Sequence, residues 1–82
     1  NVSKKDIEVY PNPTQGRLYF KIGIELEDAE LRILSLNGTV LVQETLNGNM
    51  YSVDLGEFPT GLFIYQVQSE QVVLSGRVVV NN

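Results

Sequence analysis

The stretch Leu31-Arg32-Ile33-Leu34-Ser35-Leu36-Asn37-Gly38-Thr39-Val40-Leu41-Val42 decides the fold class. Leu31 and Ile33 alternate with Glu30 and Arg32, and Val40 and Val42 resume the alternation beyond Asn37-Gly38. A period of two belongs to a half-buried strand. Asn-Gly between two such runs is the strongest short-range hairpin signal, because both residues tolerate the positive φ of a type I′ turn.

The segments on either side have the same period. Ile7, Val9 and Tyr10 form a short run stopped by Pro11-Asn12-Pro13. Leu18, Phe20, Ile22 and Ile24 alternate with Arg17, Tyr19, Lys21 and Gly23. The third run is Ala29 to Leu36, and the fifth is Met50 to Leu55, with Tyr51, Val53 and Leu55 on one face. Leu62 to Val67 is apolar on both faces at its start, which predicts a central strand. Gln71 to Val80 is the last, predicted to bend or bulge at Ser75-Gly76. Gly16, Gly38, Gly48 and Gly61 sit where turns are needed; Pro59-Thr60-Gly61 reads as one, with Gly61 free to take positive φ. Ser69-Glu70 is the expected tip of the final hairpin. No window carries a helical stripe. Short strands at this spacing predict an all-β, seven-stranded antiparallel β-sandwich, Ig-like. The connections are too short for parallel crossovers.

Composition narrows the function. A chain of 82 residues supports one modest core. Residues 1–6 read as a linker remnant and 7–82 as the folded domain, an excised piece of a longer protein. With 10 acidic and 6 basic residues the net charge is −4, which argues against nucleic acid and against an anionic membrane surface. No apolar run approaches the roughly 20 residues that span a bilayer. Cysteine and histidine are both absent. Disulfides, thiolate metal sites, cysteine nucleophiles and the commonest general base are therefore excluded.

The remaining candidates for chemistry are weak. Glu25, Glu27, Asp28 and Glu30 are the densest group of oxygen ligands, but they lack the spacing of a calcium loop and read as a solvated connection. Asp54 and Glu57 invite comparison with paired glycosidase carboxylates, yet nothing supports a cleft and they read as exposed charges. Ser35, Ser52, Ser69 and Ser75 have no histidine to activate them. Tyr10, Tyr19, Phe20, Tyr51, Phe58, Phe63 and Tyr65 are the aromatics. Phe20 and Phe63 fit the core pattern, and without Trp a sugar-stacking platform is disfavoured. No cofactor is expected, and an enzyme is the least supported class.

The punctuation taken together resembles a family. Tyr10-Pro11-Asn12-Pro13 followed by Gly16 is similar to the "YPNP…G" opening of the type IX (Por) secretion system C-terminal sorting domains of Bacteroidetes. Leu31 to Val40, containing Gly38, resembles the family's middle segment. Phe58-Pro59-Thr60-Gly61-Leu62-Phe63 resembles its "L-P-x-G-x-Y" segment, with Phe63 where Tyr is common. Gly76 to Asn82 resembles its terminal strand, except that Asn81-Asn82 stand where Lys often ends the family, leaving Arg77 as the tail's cation. The likeness runs from about Ile7 to Asn82.

The resemblance implies a β-sandwich and a secretion address. The cargo passes through the periplasm and reaches the cell surface or medium through outer-membrane type IX machinery. A sortase-like peptidase removes the domain, cutting near or upstream of residues 1–6, and can attach the cargo to lipopolysaccharide. The expected recognition surface is the last strand, Val72 to Val80, with the chain end and the turn at Pro59 to Gly61: Pro59, Gly61, Arg77, Val78, Val79, Val80, Asn81 and Asn82. A terminal strand offers unpaired backbone groups and β-branched side chains, which suits strand addition. An edge strand also permits a homodimer. The competing readings are a non-catalytic adhesion or carbohydrate-binding module and a structural spacer.

Overall fold

The computed structural model describes residues 7–23, 28–46, 48–70 and 73–81. The linker reading of residues 1–6, and the expectations placed on Ile24, Glu25, Glu27, Gln71, Val72 and Asn82, lie outside them. The strands are β1 (Ile7–Tyr10), β2 (Arg17–Ile22), β3 (Glu30–Leu34), β4 (Val40–Thr45), β5 (Met50–Asp54), β6 (Gly61–Gln68) and β7 (Val73–Val80). They form a three-stranded sheet, β1-β2-β5, and a four-stranded sheet, β4-β3-β6-β7. All the paired strands are antiparallel. The fold is the expected all-β sandwich, with β6 central. In the constant-type Ig domain the fourth strand joins the first sheet; here β4 lies beside β3 in the other one.

The alternation in the sequence becomes burial. Leu18, Phe20 and Ile22 of β2 face Leu31, Ile33, Phe63, Val67, Val78 and Val80 of the larger sheet in one core. Each such side chain contributes roughly 1.5–3 kcal/mol on leaving water. Phe20 meets Tyr65 edge-on across the two sheets, with ring centroids 5.7 Å apart.

Three local expectations are corrected. The Asn37-Gly38 turn is not type I′, since Gly38 has φ +92° while Asn37 keeps a negative φ. The loop holds three residues, closed by Gly38 N–H donating to Ser35 O (3.0 Å) and Ser35 N–H donating to Thr39 O (2.9 Å). This is a type I turn followed by a left-handed glycine, and the register shifts between Ile33 and Leu34. Asn37 Oδ1 accepts from the Ser35 and Thr39 hydroxyls, so its side chain stabilises the turn.

Gly61 is the second correction: it is already in β6 and has no positive φ. The third is Ser75-Gly76, where no bulge occurs. The β6–β7 register runs unbroken from Gly61↔Val80 to Gln68↔Val73. Gly76 sits opposite Tyr65, and a Cβ there would fall 2.6 Å from Tyr65 Cζ. The glycine makes room for the tyrosine ring instead of bending the strand.

Candidate functional site

The antiparallel pairing brings the sequence motifs to one end of the sandwich. The 11–16 connection, the Leu36-Asn37-Gly38 turn, the 55–60 connection and the end of β7 all lie there. Leu55 N–H donates to Gly16 O, joining the 55–60 connection to the 11–16 connection. Phe58 N–H donates to Leu55 O at 3.0 Å, and Phe58 packs edge-on against Phe63. Gly61 and Leu62 pair with Val80 and Val79, so the Pro59–Gly61 segment sits beside the tail.

The 11–16 connection is a clasp on β7. Both prolines follow cis peptide bonds, at Tyr10-Pro11 and Asn12-Pro13. Pro11 and Pro13 carry no backbone N–H. The segment therefore pairs through other groups. Asn12 Nδ2 donates to Arg77 O and Asn12 Oδ1 accepts from Val79 N–H, both at 3.0 Å. Thr14 N–H donates to Val79 O and Asn81 N–H donates to Thr14 O, both at 2.8 Å, forming an isolated parallel bridge. Thr14 is fully buried; its hydroxyl donates to Arg17 O (2.7 Å) and accepts from Gly16 N–H (3.2 Å). Gly16, at φ +147°, turns the chain back into β2.

This arrangement sorts the expected recognition residues. The side chains of Val78 and Val80 are wholly in the core, while Arg77, Val79 and Asn81 face outward. Pro59 is exposed and Gly61 half-buried. The outer edge of β7 was expected to offer unpaired backbone groups along its length. Over Arg77–Asn81 that edge is occupied by Asn12 and Thr14, because their polar groups are spaced to match alternate residues of the strand. Thr14 and the Tyr65–Gly76 fit were not singled out by the sequence reading. A hydrogen-bonding Asn caught between two donor-less prolines was the available signal for the clasp.

The other candidates resolve into structure. Glu30 pairs with Arg32 (Nη2 to Oε1, 2.6 Å) and accepts from Gln43 Nε2 at 2.9 Å, so it belongs to a polar ladder across the sheet. Asp54 Oδ1 accepts from Gly56 N–H at 2.8 Å and shapes the turn. Tyr10 and Tyr19 are exposed cross-strand partners, with centroids 5.7 Å apart and planes 23° apart. Each spends one ring face on the other. Met50, Lys21 and Ser52 continue the surface beside them, so no aromatic row extends from the pair. Burial raises the Tyr65 phenol above its ordinary value of 10.0.

The family model described as "Secretion system C-terminal sorting domain" matches residues 8–81. No curated protein matches the chain. The matched span takes in every strand but for Ile7 and all four motif segments but for Asn82, so the likeness lies in the whole sandwich and its clasped end.

Proposed function

The chain belongs to the secretion system C-terminal sorting domain family, and from that premise we propose that it is the folded type IX address of a cargo protein, read at the clasped end of the sandwich. The observation that carries the reading is convergence: the family's four sequence segments meet at one end, around the tail of β7. Arg77, Val79, Asn81 and Pro59 present the surface there, and Val78 and Val80 hold the strand in place from the core. In this proposal the cargo crosses the periplasm, is handed to the outer-membrane machinery, and emerges at the cell surface or in the medium. A sortase-like peptidase cuts near or upstream of residues 1–6, and anchoring to lipopolysaccharide follows for attached cargo. A homodimer through an exposed edge strand belongs to the same set of proposals.

The test is transport. Residues 1–82 are fused behind a periplasm-exported fluorescent reporter in a type IX-competent bacterium and in a strain lacking the translocon. Reporter outside the cell only when the translocon is present is the expected result. Retention in both strains by a folded fusion overturns the reading and favours a spacer or adhesion module.

A further inference from the structure

The outward face of the four-stranded sheet is divided by register into two halves of opposite character. One direct cross-strand row reads Val40, Leu34, Ile64, Arg77. Beside it Leu62 pairs with Val79, and Leu36 lies in the turn just past the end of β3. The rows toward the other end read Gln43, Arg32, Gln66, Ser75 and then Thr45, Glu30, Gln68, Val73. In the polar half Arg32 and Gln43 close on Glu30, while Arg32 Nε is buried without a hydrogen-bond partner among the described residues and Val73, at the end of the last row, is 76% exposed.

The apolar half has no such closure. Leu36, Val40 and Val79 are 63%, 45% and 39% exposed, although two of the three lie on strands. Arg77 ends the row. Among the described residues the ion pairs join Arg17 to Asp54 and Arg32 to Glu30, and none involves Arg77. A shallow hollow of about 350 Å³ lies beside its side chain, lined by Ile64, Ser75, Gly76 and Arg77. Gly76 contributes only backbone to it, since the space a Cβ would take lies on the core-facing side against Tyr65.

We propose that this half-face is a docking surface for a protein segment of the secretion machinery that presents apolar side chains together with one carboxylate. The apolar side chains cover Leu34, Val40, Leu62, Ile64 and Val79, and the carboxylate enters the hollow to meet Arg77. The inference rests on the sorting function proposed above and names the surface and the partner's chemistry. Charge complementarity selects the partner. A guanidinium at the end of an apolar row, with no ion-pair partner among the described residues, matches an acidic group and is the fork that carboxylates bind in bidentate fashion. Exposed apolar patches rimmed by polar residues mark interaction sites, and Arg is among the residues enriched at their energetic centres.

The test places changes on each half of one face in the reporter fusion. Val79→Thr, Ile64→Thr and Arg77→Glu alter the apolar half while keeping strand-compatible residues, and Gln66→Thr and Gln68→Thr alter the polar half. Thermal unfolding confirms that each variant is folded. Export of the apolar-half variants is expected to fall by about tenfold or more, the loss typical of removing an interface anchor. The polar-half variants are expected to keep wild-type export. A photo-crosslinking residue at position 79 is expected to trap a machinery protein, and one at position 66 is not. Wild-type export by folded Arg77→Glu and Ile64→Thr variants overturns the docking surface and leaves the sorting function standing. Crosslinks at position 79 that join only two copies of this chain also overturn it, in favour of a dimer face. Retention of the wild-type fusion in both strains overturns the sorting function, and this partner with it.

Discussion

The two edges of the four-stranded sheet, β4 and β7, carry the same hazard and meet it differently. Each presents a row of backbone groups capable of pairing with another chain. Along β4 every position except Val42 is exposed. That edge is interrupted by the register shift opposite Ile33/Leu34 and closes with Gln43, Glu44 and Thr45. Along β7 the far half is covered by the 11–16 connection, whose bonds span 65 and 67 positions of sequence. The β4 edge is managed by local polar residues, whereas the β7 edge depends on the opposite end of the chain. Closing this edge therefore requires that the two ends of the chain have come together.

The largest expected effect tests what lets β7 run straight enough to be clasped. Gly76→Val places carbon inside the volume of the Tyr65 ring, and the loss should be about 3 kcal/mol or more in urea unfolding. Adding Tyr65→Ala to Gly76→Val should cost less than the sum of the two changes, since the pair shares one clash. Full additivity would break the claim that the glycine serves the tyrosine.

Next comes the clasp itself. Asn12→Ala strips partners from Arg77 O and Val79 N–H and should cost about 1–3 kcal/mol. Hydrogen exchange at the Val79 amide should quicken before exchange at the even-numbered β7 amides that face β6. Unchanged protection at Val79 would show that the edge is held by something other than Asn12. The matching change on the other edge, Gln43→Ala, removes one exposed hydrogen bond to Glu30 and should move stability by no more than about 0.5 kcal/mol. A loss equal to that of Asn12→Ala would erase the contrast between the edges.

The smallest effect at neutral pH concerns Tyr65. Burial raises its folded-state pKa above the unfolded value of 10.0, so the folded state holds the phenol proton more tightly. The associated stability is complete below about pH 10 and is lost as pH rises through the raised value. Thermal unfolding from pH 8 upward should therefore fall less steeply in Tyr65→Phe than in the wild type. Equal slopes would mean the phenol is as well solvated folded as unfolded.

The strands and the turns between them were legible because their cause is local. A period of two at Leu18-Phe20-Ile22 or Tyr51-Val53-Leu55 is dictated by which face must leave water, and Gly38 and Gly48 do take positive φ. The turn type was not legible. Asn37-Gly38 fits a two-residue or a three-residue loop equally well, and the choice followed from the register of β3 against β4. Ser75-Gly76 was misread as a break for a similar reason. A glycine in a strand signals missing bulk, but whether that bulk would strain the backbone or strike a neighbour depends on the opposing residue, here Tyr65. The residues expected to form the recognition surface, Asn82 apart, lie together as a tail and its neighbouring turn. Alternate positions then divided them, with Val78 and Val80 inward and Arg77 and Val79 outward.

By itself the sequence determined the fold class, the number of strands, their faces and the absence of histidine and cysteine chemistry, since each follows from side-chain character and period-two geometry. The motif order also carried the family. Only the tertiary structure decided that Asn12 and Thr14 close the edge of β7, that Tyr65 lies over Gly76, and that Arg77 ends the apolar rows of the outer face with no ion-pair partner among the described residues. Those facts depend on pairings between residues far apart in sequence. Hydrogen bonds and steric fits act over a few ångströms of space, and the chain's local pattern does not state which distant residues will share that space.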